Sequence, residues 1–170
     1  MLELIISYHV KVKPWYPNII NAGCSGDILH SIASETQWDL KLLKPFTEMN
    51  GMDYHSFSQR MICELCLIPG YVFISFSESR DACLELIEAN KDYDFGWRRE
   101  FIPIAWDFSN GYIFVDGIGR IGRLFDGDII YRFDSYEKFI FEIVKKINGG
   151  GFIMGAKGEI MYFREHDQII

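Results

Sequence analysis

The spacing of apolar side chains divides this chain into short strand-like and helix-like stretches separated by turn residues. Residues 1–13 alternate loosely between apolar and polar and carry β-branched and aromatic side chains, which predicts an edge strand. Pro14 and Pro17 close it, because proline cannot donate to a ladder. Ser25 is a suitable N-cap, with Asp27 in the first turn, where a carboxylate complements the helix dipole. Ile28, Leu29, Ile32 and Ala33 follow at helical spacing and predict a short amphipathic helix. A second helical stretch spans residues 39–49. Pro45 must start, kink or split it, and Asn50-Gly51 stops it.

After the turn signal Pro69-Gly70, residues 71–76 read as a strand. Ser77 or Ser79 then caps a helix through about Asn90, with Ala82, Cys83, Leu86 and Ile87 as its inward stripe. Three short strands follow, over residues 101–106, 112–115 and 129–132. Asn110-Gly111 is a hairpin signal between the first two, and Asp126-Gly127-Asp128 marks a further turn. Strands joined only by turns predict an antiparallel meander rather than βαβ units. Residues 135–147 give the clearest helix, with Tyr136, Phe139, Ile140, Ile143, Val144 and Ile147 on one stripe. Asp134 with Glu137 reads as its capping box, Lys145 and Lys146 lie near its C-terminus, and Asn148-Gly149-Gly150-Gly151 ends it. Residues 152–163 suit a final hairpin. The expected architecture is α+β: a mixed, largely antiparallel sheet with helices packed around it.

Composition sharpens this picture. Apolar residues make up 49% of the 170 positions and aromatics 16%, enough for a substantial core in one domain over residues 1–170. The net charge of −7 and the lack of a basic run argue against a nucleic-acid binder, since such affinity rests on Lys and Arg neutralising phosphates. The first residues lack the basic and long apolar regions of a signal peptide, and no apolar run is long enough to span a membrane. The expected location is therefore the cytoplasm, with Cys24, Cys63, Cys66 and Cys83 as free thiols. Charge is unevenly spread: between Glu78 and Asp94 six carboxylates (Glu78, Asp81, Glu85, Glu88, Asp92 and Asp94) face two bases, Arg80 and Lys91.

Candidate chemistry is sparse. Gly117-Ile118-Gly119-Arg120-Ile121-Gly122 matches the dinucleotide fingerprint in form, but that motif must open a helix, and Gly127 follows too soon for one to develop. A glycine-bearing strand turn explains the run better. Cys63-Glu64-Leu65-Cys66 is a lone C-x-x-C without a second paired spacing, so both sulfurs read as small buried hydrophobes rather than zinc ligands. His9, His30, His55 and His166 are scattered singly, and Asp107, Asp116, Asp126 and Asp128 sit where turn-forming aspartates normally occur. Trp97-Arg98-Arg99-Glu100 reads equally as a contact hot spot and as a solvated loop with Trp97 packed inward. No catalytic residue, metal site or cofactor is expected.

Several segments together resemble the SUKH superfamily, the relatives of the Smi/Knr cell-wall regulators. They are Phe101-Ile102-Pro103-Ile104-Ala105-Trp106-Asp107, Gly111-Tyr112-Ile113-Phe114-Val115-Asp116, Gly127-Asp128-Ile129-Ile130-Tyr131 and Ser135-Tyr136-Glu137-Lys138-Phe139. Upstream, Leu42-Leu43-Lys44-Pro45-Phe46 leading to Asn50-Gly51 resembles the family's helix ending in Asn-Gly. The likeness covers about residues 25–147, with an N-terminal strand and a C-terminal hairpin or tail outside it. It implies a non-enzymatic α+β domain. Many bacterial members are immunity proteins that bind and neutralise a toxin, often a nuclease, in the cell that makes it.

The leading expectation is thus an immunity-type protein that is a monomer or weak homodimer on its own. It contacts neither nucleic acid nor membrane and covers a cognate toxin with an acidic, aromatic-bearing face. The residues expected to carry that contact are Glu85, Glu88, Asp92, Asp94, Trp97, Arg98 and Arg99. The rival readings are a regulatory adaptor or scaffold domain with several weak partners, and a nucleotide enzyme using the glycine run.

Overall fold

The structure is a computed structural model and describes residues 5–7, 20–53, 66, 68–154, 160–162 and 170. Among them run helix α1 (Gly26–Thr36), a 3-10 turn (Leu40–Leu43), helix α2 (Lys44–Glu48), strand β1 (Val72–Phe73) and helix α3 (Phe76–Asp92). Strands β2 (Ile102–Trp106), β3 (Tyr112–Val115), β4 (Ile121–Phe125) and β5 (Asp128–Phe133) follow, then helix α4 (Tyr136–Asn148) and strands β6 (Phe152–Met154) and β7 (Ile160–Tyr162). The sheet order β1-β2-β3-β4-β5 follows the chain, with every neighbouring pair antiparallel, and β6 pairs with β7 as a separate hairpin. The fold is α+β with a meander sheet.

Alternation along β3 divides the interior. Ile113 and Val115 enter the main core with Leu29, Phe46, Phe76 and the α4 stripe of Phe139, Ile140 and Ile143. Phe114 turns to the other face and joins Trp97, Phe101 and Leu124 in a second cluster. Pro103 stands in the second strand of the sheet, which proline normally avoids; the ladder shifts register between Pro103 and Ala105. The Pro103 carbonyl accepts a hydrogen bond from the fully buried Ser79 hydroxyl of α3. That bond fixes α3 against β2.

Several local expectations change. Residues 5–7 are helical, not extended, and the remainder of residues 1–13, with Pro14 and Pro17, lies outside the described residues. Leu2, Ile5 and Ile6 are spaced as well for a helix as for a strand, so a loose alternation there could not decide. The strand expected over 71–76 ends at Phe73, because Ser75 caps α3 in a capping box with Glu78; neither Ser77 nor Ser79 is the cap. The cap of α4 is Ser135, accepting from the Lys138 amide, while Asp134 instead forms an ion pair with Lys138. Pro45 does start α2, but that helix stops at Glu48, two residues before Asn50-Gly51.

Helices α2 and α4 are linked on the surface by Lys44 Nζ and Glu137 Oε1, 2.8 Å apart. The Lys44 ammonium holds the Glu137 carboxyl below the usual carboxylate range. A carboxyl depressed in the folded state stabilises the fold above its unfolded value and loses that contribution as pH falls through the folded one. Both side chains are about half exposed (47% and 51%), so the pair contributes only ~0.2–1 kcal/mol. E137Q should therefore melt at most ~4 °C below the parent at neutral pH, with the gap closing in acid. Thermal melts of both proteins across a pH series check this.

Candidate functional site

The carboxylate-rich stretch forms the exposed flank of α3. Spacings of three and four residues place Asp81, Glu85, Glu88 and Asp92 along one side of the helix, away from buried Phe76, Ser79, Ala82 and Cys83. Two cations offset part of this charge: Arg80 pairs with Asp81 and reaches Glu35, and Lys91 pairs with Glu88. Among the described residues no cation pairs with Glu85 or Asp92, so the flank stays strongly negative.

Beyond α3 the chain folds back under the control of Asn90, whose side-chain oxygen accepts from the amides of Phe95 and Trp97. Asp94 accepts from the amide of Gly96, itself left-handed at φ 78°. This return drives Trp97 inward, with ring centroids 5.3 Å from Phe101 and 5.2 Å from Phe114, both edge-on, and leaves it 4% exposed. Of the seven expected contact residues, Glu85, Glu88, Asp92, Asp94, Arg98 and Arg99 lie at the surface. Trp97 belongs to the core and offers no ring to a partner. Arg99 also anchors the fold through its carbonyl, which accepts from the Trp38 indole at 2.9 Å.

Two adjoining hollows of 370 and 230 Å³ lie between α3 and the β2–β3 hairpin, and both are lined by Glu85 and Tyr112. Leu86, Ala89, Phe95 and Leu124 make the first largely apolar, whereas Asp81, Glu78 and Trp106 line the second. The hairpin loop is held rigidly from within. One Asp107 oxygen accepts from the Ser109 amide, the Ser109 hydroxyl and the Gly111 amide, while the Trp106 indole donates to the Ser109 carbonyl. The left-handed residue of this loop is Phe108, not Asn110 or Gly111 as the Asn-Gly signal suggested. Gly111 is needed for a different reason: a Cβ there would lie 2.1 Å from the Asp107 carboxylate. Burial, reinforced by Glu85 and Asp107, pushes the Tyr112 phenol up, so it stays protonated and keeps a hydroxyl in the groove. The result is an open groove with an apolar floor, aromatic walls and a carboxylate rim.

The glycine-rich run resolves into a turn and a strand. Gly117 and Gly119 lie in the β3–β4 turn and Gly122 within β4, with the next helix starting only at Tyr136, so this run opens no helix for a pyrophosphate. The turn is organised by Asp116, 2% exposed, which accepts from the amides of Ile118 and Arg120 and from the Arg120 guanidinium. Cys66 and Cys83 are buried, and burial pushes the Cys83 thiol up to about 11; Cys63 lies outside the described residues. Of the histidines, His30 is exposed on α1 and the other three lie outside the described residues. Among the described residues no three side chains gather as metal ligands, and no helix is long and apolar enough to cross a membrane. No protein-family model matches the chain, and no curated protein matches it.

Proposed function

We propose that this chain is a SUKH-like, immunity-type protein that binds and neutralises a basic protein toxin in the cytoplasm of the cell that makes it. The observation that carries this reading is the carboxylate flank of α3 beside the groove it shares with Tyr112 and Trp106. An active site that acts on nucleic acid is cationic, because its substrate is anionic. A negative face steers towards such a site and raises the association rate, and the apolar lining of the groove gives a side chain of the toxin a surface to bury against. The chain then acts by occupying that site, without a cofactor and without contacting nucleic acid or membrane itself. Alone it is a monomer or weak homodimer.

The test uses the purified product of the gene adjacent to this chain's own. Calorimetric titration should show a single nanomolar partner. Reversing Glu85 and Glu88 together (E85K/E88K) should slow association ~10–100-fold at low salt, with the difference shrinking as salt screens the surface. Unchanged binding by a correctly folded variant removes the α3 flank from the interface. Several weak partners in place of one tight one would favour the adaptor reading.

A further inference from the structure

Strand β5 is an outer edge of the five-stranded sheet, and among the described residues its ladder runs to β4 alone. At six residues it is the longest strand among the described residues, and all its side chains are exposed or half-buried. Such an edge presents a row of unpaired amides and carbonyls to any chain that can match it.

The geometry of the preceding turn says which groups face outward. Asp126 and Gly127 are both left-handed, with φ of 51° and 82°, and Phe125 lies opposite Asp128, which makes a two-residue hairpin. The residues closing such a hairpin exchange both their hydrogen bonds, and the pattern then alternates. Asp128 and Ile130 therefore turn their backbone groups towards β4. Ile129 and Tyr131 turn theirs away from β4.

The charges on this edge are self-complementary. Asp128 and Arg132 are both exposed, neither forms an ion pair among the described residues, and Arg132 has no counterpart on β4 because the ladder skips it. Like charges along an edge discourage association. Opposite charges two residues either side of a common centre do the reverse when the strand meets an antiparallel copy of itself.

We propose that two copies of this chain pair antiparallel through β5, about a two-fold axis at Ile130, joining their sheets into one. In that register Ile129 of each copy exchanges both backbone bonds with Tyr131 of the other, so every outward group is used. Ile130 meets Ile130, and Asp128 faces Arg132 at both ends. Neighbouring registers fit worse. An axis at Tyr131 sets Asp128 against Asp134 of the second copy, and an axis at Ile129 leaves Asp128 opposite Ile130 without a cation. This inference is independent of the toxin reading, since β5 takes no part in the contact expected there.

Sedimentation across a concentration series of the full chain tests it. The parent should show a reversible monomer–dimer equilibrium. D128R and R132D should each weaken it ~tenfold or more, and D128R/R132D should recover most of the loss. The residues on the axis form a non-hydrogen-bonded pair whose Cα atoms, about 4.5 Å apart, lie within disulfide reach. I130C should therefore oxidise to a covalent dimer faster than Y131C or the parent chain. A parent that stays monomeric at every concentration overturns the proposal. So does a dimer indifferent to the single reversals, a double reversal that recovers nothing, or cross-linking of Y131C as fast as that of I130C.

Discussion

Replacing Gly51 by alanine is expected to cost ~3–5 kcal/mol of folding stability, a large loss for the addition of one methyl group. Gly51 is left-handed at φ 71°, a conformation that costs an L-residue ~1–2 kcal/mol. A Cβ there would also stand 2.2 Å from the Ser75 amide nitrogen and 2.4 Å from the Ile74 carbonyl carbon. Those are backbone atoms, so no rotamer change relieves the overlap. The exit of α2 would have to move away from the β1–α3 junction. That movement breaks a second link, because the Asn50 side-chain oxygen accepts from the Phe76 amide at 2.8 Å, one of the unpaired donors at the start of α3. Native domains hold only ~5–15 kcal/mol in total, so G51A should lower the melting temperature by roughly 10 °C or prevent folding at 37 °C. The control is G26A. Gly26 opens α1 with no atom within 4 Å of its would-be Cβ, so the same methyl there should be neutral or mildly stabilising. Urea denaturation of both variants decides it. Equal, small effects would mean that Gly51 merely ends a helix, as residue type alone suggests.

Gly51 marks the limit of what residue type reveals. The pair Asn50-Gly51 was recognisable as special, but its purpose depends on Ile74 and Ser75, which only the tertiary fold brings close. The cap of α3 was a missed signal instead: of Ser75, Ser77 and Ser79 only Ser75 has a glutamate three residues on, and Glu78 closes the capping box with it. Helix α4 was legible because its apolar stripe is repeated over several turns, which a short strand cannot match. Strand β4 was not legible as a strand. Its sequence Ile121-Gly122-Arg123-Leu124-Phe125 breaks the expected alternation, since Gly122 has no side chain to contribute and Arg123 replaces an apolar residue on its face.

The candidate site divides the same way. The acidic flank of α3 follows from helical spacing alone, and Glu85, Glu88 and Asp92 emerge on the surface as that spacing requires. The groove does not follow, because Phe95, Trp106 and Tyr112 meet only after the β2–β3 hairpin folds back beside α3. Trp97 was undecidable from residue type, since a tryptophan beside two arginines suits a contact surface and a core equally. Its fate turns on Asn90, whose two amide bonds reverse the chain after α3. The buried cluster around Phe114 that receives Trp97 also accounts for the last glycine of the fingerprint-like run.

Phe114 and Gly122 lie opposite one another on β3 and β4, and a Cβ on Gly122 would come within 2.5 Å of the Phe114 ring. The ring also stacks 4.8 Å from Phe101 and stands edge-on to Trp97 and Tyr131. Truncation to F114A removes a fully buried ring at the centre of that cluster and should cost ~3–5 kcal/mol. G122A overpacks an occupied space and should cost ~1–3 kcal/mol. The informative measurement is the double variant. If Gly122 is glycine so that Phe114 can lie across it, the methyl added by G122A enters the void left by F114A instead of colliding with a ring. F114A/G122A should then be less destabilised than the two losses added together, by ~1 kcal/mol or more, as expected of residues in direct contact. Urea denaturation of the four proteins closes the cycle. Strict additivity would deny that the ring requires the glycine, and with it the packing explanation for the third glycine of the run.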